Sequence, residues 1–193
     1  MRSRLVAVMT VSLIAAAAWA GQAQGAAPFK HANTPENLKA LMQLIARKIH
    51  VDKAPKEGIA LFRAMIPDET RMRKALKDDV TPLAAKTVLR SLMEFASAPD
   101  ETIAALSRPE QTMVIVSGAT TEEIKAYANG SLAFRKFPGG AKNAAEQILR
   151  SGVTFYEVEY VEPGKEAGIK YHLFYWDGQQ WSMLGPAWRG LAG

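Results

Sequence analysis

Three stretches near the C-terminal end, Val153 to Val161, Ile169 to Trp176 and Gln179 to Leu184, place large apolar or aromatic side chains at alternate positions. Alternation suits a strand, whose successive side chains point to opposite faces of a sheet. The breaks between the stretches are too short for the crossover a parallel pair needs, so the pairing must be antiparallel. Asp177-Gly178 reads as a two-residue hairpin turn with positive φ at both positions. That turn sets a register in which Trp176 faces Gln179, Tyr175 faces Gln180, Phe174 faces Trp181, Leu173 faces Ser182 and His172 faces Met183. One face then carries His172, Phe174, Trp176, Trp181 and Met183; the other carries Tyr171, Leu173, Tyr175 and Leu184 beside Gln180 and Ser182. Both faces hold large apolar groups. Helices are therefore expected to cover one side while the other curves over a cavity or meets another surface.

The first part of the chain is patterned for helices. Thr34-Pro35-Glu36 is a start signal, a cap followed by proline, and Leu38, Leu41, Met42, Ile45 and Ile49 follow at helical spacing to about His50. Pro55 to Ile66 is a second helical segment, and Pro67-Asp68-Glu69 starts a short, charged third that runs to about Lys77. Thr81-Pro82 opens a longer helix with Leu83, Val88, Leu89, Leu92, Met93 and Ala96 on one stripe, and Pro99 to Leu106 adds a last turn or two. Met42, Met65 and Met93 fall on these apolar faces as core filling. From Gln111 the character changes: Met113 to Val116 is a β-branched run that reads as a buried strand. Thr120-x-x-Glu123 is a capping box opening a helix that closes at Asn129-Gly130, Ser131 to Phe134 reads as a short strand, and Pro138-Gly139-Gly140 leads into a helix that Gly152 ends. The expected fold is α+β, N-terminal helices followed by a curved antiparallel sheet ending in a β-hairpin, as one domain over residues 34–193.

The N-terminus carries an address. Arg2 and Arg4 precede an apolar run from Leu5 to Ala20 that ends in Ala18-Trp19-Ala20, the pattern of a secretory signal peptide and its cleavage site. Residues 1–20 are the expected signal, with an alternative end at residue 25 after Ala23-Gln24-Gly25, and residues 21–33 form a flexible leader. The run is shorter than the roughly 20 residues of a spanning helix, and no other stretch approaches that length. With no cysteine, the chain has no thiol nucleophile, thiolate metal site or disulfide. A periplasmic or secreted protein with no membrane span after signal cleavage is expected. The formal net charge is +5, of which Arg2 and Arg4 supply two, and acidic residues interleave with basic ones along Lys53 to Lys86. Without a basic block to neutralise phosphates, nucleic acid is excluded as a partner.

Helices first and then a curved antiparallel sheet ending in the hairpin His172-Leu173-Phe174-Tyr175-Trp176-Asp177-Gly178-Gln179-Gln180-Trp181 resembles the NTF2-like, cystatin-like α+β superfamily. The resemblance covers residues 34 to 185 by element order, and the sequence between about Thr81 and Leu106 is an addition to its pattern. It implies a half-cone sheet around a long helix, with a pocket that serves isomerases, dehydratases, ligand carriers and subunit contacts alike.

Candidate chemistry is sparse. His172, among aromatics in mid-strand, is the residue placed to act as a general base, with Tyr156 or Tyr175 as polariser. Its rival reading is a half-buried histidine bonded to a neighbour. His31 and His50 complete a scattered set without ligand spacing, so no metal site and no cofactor are expected. Glu157 and Glu159 share one face of their strand about 7 Å apart, which suits either an acid and base pair or a solvated acidic face. Pro138-Gly139-Gly140, with Lys136 and Lys142 near it, offers backbone amides to an anion, or is a plain turn. No serine stands in a nucleophile elbow. The aromatic residues of the last forty positions mark a ligand or partner surface, with Gly185 to Arg189 as a tail to cover it. The first functional reading is an exported, non-enzymatic protein that binds a small apolar ligand or a protein partner through His172, Phe174, Trp176, Trp181 and Met183. The alternative is a cofactor-independent pocket enzyme of isomerase or dehydratase type, with His172 as base.

Export is directly testable. Expressed in a Gram-negative host, the protein should be released by osmotic shock with a mature N-terminus at Gly21 or Ala26. Recovery of the chain with Met1 intact in the membrane pellet would defeat that expectation.

Overall fold

The computed structural model describes residues 33–191. The expected signal segment, the expected leader as far as residue 32 with His31, and the last two residues lie outside the described part. Five helices come first: α1 Pro35–His50, α2 Pro55–Ala64, α3 Glu69–Arg73, α4 Pro82–Ala96 and α5 Asp100–Ala104. Thr34, Asp68 and Thr81 cap α1, α3 and α4 by accepting a backbone N–H from Asn37, Arg71 and Ala84. Gly58 lets α2 lie close on α1, since a Cβ there would stand 2.7 Å from Ile49 Cγ1 and 2.9 Å from the Ile45 carbonyl.

Strand β1, Met113–Thr120, is followed by α6 Thr121–Ala126, α7 Leu132–Lys136 and α8 Gly139–Gln147, then by β2 Thr154–Val161, β3 Ile169–Trp176 and β4 Trp181–Met183. A 3-10 turn, Ala187–Gly190, closes the chain. The capping box at Thr120 and Glu123 forms as expected. The strand expected at Ser131 to Phe134 does not. Ser131 Oγ accepts the Phe134 N–H at 3.1 Å, and this capping bond starts α7 instead.

The four strands form an antiparallel sheet in the order β1-β2-β3-β4, so the fold is α+β. Helices cover both faces rather than one. On the first face α1, α2 and α5 bury Leu38, Met42, Ile45, Phe62 and Ile103 against Val114, Tyr156, Val158, Tyr160, Phe174, Trp181 and Met183. On the second, α4, α6 and α8 bury Leu92, Ile124, Ala144 and Ile148 against Phe155, Leu173, Tyr175 and Leu184.

Two register findings correct the sequence reading. The hairpin pairs Trp176 with Trp181, Tyr175 with Ser182 and Phe174 with Met183, a slip of two residues that leaves a four-residue loop at 177–180. Gly178 keeps its positive φ of 96°, but Asp177 spends its side chain on the loop. Its Oδ1 accepts the N–H groups of Gln179 and Gln180, while its Oδ2 accepts from Arg71 Nε at 2.6 Å and from Ser182 Oγ at 2.8 Å. An aspartate that closes its own turn this way favours the longer loop over a two-residue turn. Because the slip is even, Phe174, Trp176, Trp181 and Met183 remain on one face. His172 does not remain with them. Between the Tyr156–Phe174 and Val158–Tyr171 pairs, β3 carries two residues, His172 and Leu173, opposite the single Glu157 of β2. This β-bulge, with Leu173 at φ 61°, moves His172 to the second face and Tyr171 to the first.

Burial opposes ionisation of Asp177, yet the hydrogen bonds from Arg71, the two amides and Ser182 outweigh it and hold the carboxyl below its usual range. Asp177→Ala should destabilise the fold by about 3 kcal/mol, because it leaves Arg71, Ser182 and two loop amides without their acceptor. Urea unfolding measures this; Gln179→Thr beside it should be nearly silent.

Candidate functional site

The second face of the sheet holds a charged cluster where apolar core would be expected. Glu157 and Glu159 point to this face from β2 and are only 1% and 3% exposed. The reading of them as a solvated acidic face is thereby corrected. Lys136, at the end of α7, lies 3.4 Å from Glu159 Oε2. Lys170, opposite Glu159 on β3, lies 3.8 Å from the same oxygen and 3.6 Å from Glu157 Oε1. The Gly168 N–H donates to Glu159 Oε1 at 2.9 Å. Two ammonium groups and an amide thus stand against the desolvation of two buried carboxyls.

His172 completes the cluster. Its Nδ1 stands 3.4 Å from Glu157 Oε2, and both atoms are shielded from solvent without a formed hydrogen bond to any partner. They are each other's nearest prospective partner. Burial raises the Glu157 carboxyl to about 7, against the pull of Lys170 and Lys136. Burial, reinforced by Lys170, lowers the His172 imidazole to about 4. Near neutral pH the imidazole is therefore neutral. Where Glu157 is protonated, its O–H can donate to Nδ1; where it is ionised, Nδ1–H can donate to the carboxylate. The outward nitrogen, Nε2, is a donor in the first state and an acceptor in the second.

The ring of His172 lies between Phe137 and Trp188, with centroids 6.4 and 5.9 Å away. Trp188 belongs to the 3-10 turn and rests on Gly140, where a Cβ would come within 2.3 Å of its Cδ1. The Pro138-Gly139-Gly140 entrance of α8 thus has a packing reason for its second glycine. The tail from Gly185 to Arg189 is no extended cover for the aromatic hairpin; it turns back against α8 on the opposite face.

Beside the cluster opens a cleft of about 720 Å³. It exists because β4 pairs only with Phe174–Trp176, which leaves the β3 edge at residues 169–172 without a strand beside it. Leu92 and Phe95 of α4 form one wall, Leu184 and Trp188 another, and Lys170 and His172 stand where the walls meet the sheet. Ser91 and Arg189, both exposed, also border it.

No family model, curated protein or solved structure matches this chain.

Of the residues proposed for binding, His172 lines the cleft, and Met183 borders it while packing in the core. Phe174 and Trp181 are buried under α1 and α2, and Trp176 is half-buried against Trp181. The aromatic face is core. Tyr156 and Tyr175 do not reach the cleft: the Tyr156 hydroxyl donates to Asn33 and that of Tyr175 to the Arg71 carbonyl. Among the described residues no group of three or more His, Asp or Glu is placed to hold a metal ion. His50 forms a separate contact, Nε2 to Ser107 Oγ at 2.9 Å, beside a smaller hollow of about 230 Å³. Sequence reasoning missed Lys170 and Lys136 as members of the cluster. The one local signal was Lys170 two places before His172 on a strand, which puts both on the same face.

The pair makes a signed prediction about pH. Glu157 titrates higher in the folded chain than its usual 4.5, so its ionisation costs stability as pH rises from about 4.5 to about 7. His172 titrates below its usual 6.5, so stability falls as pH drops from about 6.5 to about 4. Glu157→Gln removes only the first dependence. The variant should exceed the parent in stability by about 1–3 kcal/mol above neutrality. That advantage should vanish by about pH 4.5, as denaturant titrations at a series of pH values would show.

Proposed function

We propose that this chain is exported and works as a non-enzymatic binding protein that holds a small apolar ligand in the cleft between α4, β3 and the C-terminal turn. The cleft itself carries this reading. At about 720 Å³ it falls within the range of small-molecule sites. Its walls are mainly apolar, with a few polar groups, Ser91, Lys170, His172 and Arg189, among them, as such sites require. The aromatic hairpin face is occupied by α1 and α2, so the ligand role expected of it passes to the opposite side of the sheet. The resemblance to the NTF2-like superfamily, in which a pocket against the sheet serves carriers and enzymes, is carried forward on element order alone.

One observation favours the alternative reading, a cofactor-independent enzyme. His172 stands at the wall of a cleft with Glu157 behind its Nδ1, the arrangement of a base steadied by a carboxylate. Against it, burial makes the imidazole a weak base, and neither tyrosine proposed as polariser reaches the cleft. Lys170 would have to take that part.

Mass spectrometry of the natively purified mature protein should find a co-purifying small molecule, released on denaturation. Ser91→Trp, which fills the cleft mouth from an exposed helix position, should abolish its retention while leaving the thermal midpoint equal to that of the parent stripped of its ligand. Retention of the same molecule by the variant would place binding elsewhere.

A further inference from the structure

We propose that the ligand of the cleft is a small amphiphile bearing a single carboxylate, its head against Lys170 beside His172 and its apolar body along α4 and Leu184. This rests on the binding reading above and names its ligand class. Charge complementarity carries it. The cleft is bordered by two cationic side chains, Lys170 and Arg189, and no Asp or Glu is among its lining residues. The carboxylates of Glu157 and Glu159 lie on β2, on the far side of Lys170 from the cleft's outer wall. A fully apolar occupant would desolvate the Lys170 ammonium without a new partner, which costs free energy. A quaternary ammonium head would meet like charge from Lys170 and Arg189.

The size of the charge surplus selects a monoanion. The charged or titratable groups around Glu157 are Glu159 on its own strand, Lys170 and His172 on β3, and Lys136 from α7. Two ammonium groups face two carboxyls, and His172 is neutral. When Glu157 holds a proton, one positive charge is left over in the cluster, and Lys170 is the member that borders the cleft. A single carboxylate at Lys170 restores balance in the cluster; the second charge of a phosphate dianion would find only Arg189, an exposed group at the border of the cleft that gains little from pairing. Binding and protonation are thereby coupled, since an anion beside Lys170 competes with Glu157 for the ammonium and favours the protonated carboxyl. Its loss of a proton near 7 puts this coupling in the range where the ligand carboxylate stays ionised.

The test is titration calorimetry of the mature protein, stripped of bound small molecules. The probes are decanoate, decanol, decyl phosphate and decyltrimethylammonium, each below its micelle-forming concentration. Decanoate should bind at least about tenfold tighter than decanol, with decyl phosphate weaker than decanoate and decyltrimethylammonium not bound. Decanoate affinity should fall about tenfold between about pH 6 and about pH 8, with proton uptake visible as a buffer-dependent heat. Lys170→Met should bind decanoate and decanol alike. Glu157→Gln should keep decanoate binding and lose its pH dependence. Equal binding of decanoate and decanol, or tighter binding of decyl phosphate, would overturn the carboxylate assignment; if Ser91→Trp abolished that binding, the cleft reading would stand. Binding of none of the four, with nothing recovered from the natively purified protein, would overturn both.

Discussion

The extra residue in β3 is the constraint on which the site depends. Without it, strict alternation from Phe174 would put His172 and Lys170 on the first face, beneath α1, and Tyr171 on the second. The bulge reverses all three, so that a lysine and a histidine meet Glu157 and Glu159. A non-glycine residue in the left-handed region costs on the order of 1 kcal/mol or more. Leu173 tolerates it because its side chain is fully buried with Phe155 and Tyr175, and its carbonyl accepts the Leu184 N–H at 3.0 Å. Packing and one hydrogen bond thus hold a conformation that local preference opposes.

Once the polar side chains share a face, their electrostatics follow. A carboxylate taken out of water is costly unless opposite charge or donors replace the hydration. Glu159 has Lys136, Lys170 and the Gly168 amide. Glu157 has Lys170 at 3.6 Å and His172, which burial keeps neutral, but no hydrogen-bonding backbone amide. The two glutamates, alike in sequence and only two residues apart, therefore differ in support, and burial raises the Glu157 carboxyl to about 7.

Much of the element order was legible because its signals are local. Cap-and-proline starts at Thr34 and Thr81, the Thr120–Glu123 capping box, and the alternation of Ile169–Trp176 each depend on residues within a few positions. Ser131 misled because a serine before Leu132-Ala133-Phe134 begins either a short strand or a capped turn of helix, and only the bond to the Phe134 N–H decides. The hairpin misled because Asp177 is answered from outside the hairpin, by Arg71, more than a hundred residues earlier. The bulge left no mark at all: leucine is not a residue whose presence announces positive φ. Glu157 and Glu159 were placed on one face correctly, but their burial depends on Lys136 of α7 and on Lys170 and His172 meeting them there, contacts that alternation cannot report.

The aromatic concentration that drew attention in the sequence is consumed in joining helices to the sheet. The hydroxyls of Tyr160 and Tyr171 donate to the carbonyls of Met42, in α1, and Leu106, just past α5, while Tyr156 reaches Asn33 ahead of α1. Such residues fill a core and satisfy backbone acceptors in one step. Space arises on the other side through a shortage of strand. Beyond Met183 the chain makes one more bond to β3, from the Leu184 N–H, then turns at Gly185 with φ 59° and meets Pro186, which has no N–H to donate. The sheet edge next to His172 is therefore bordered by side chains of α4 and by Trp188 instead of a strand. The cleft is the volume left by that exchange, and it lies beside the charged cluster because the bulge that turns His172 inward sits where β4 gives out.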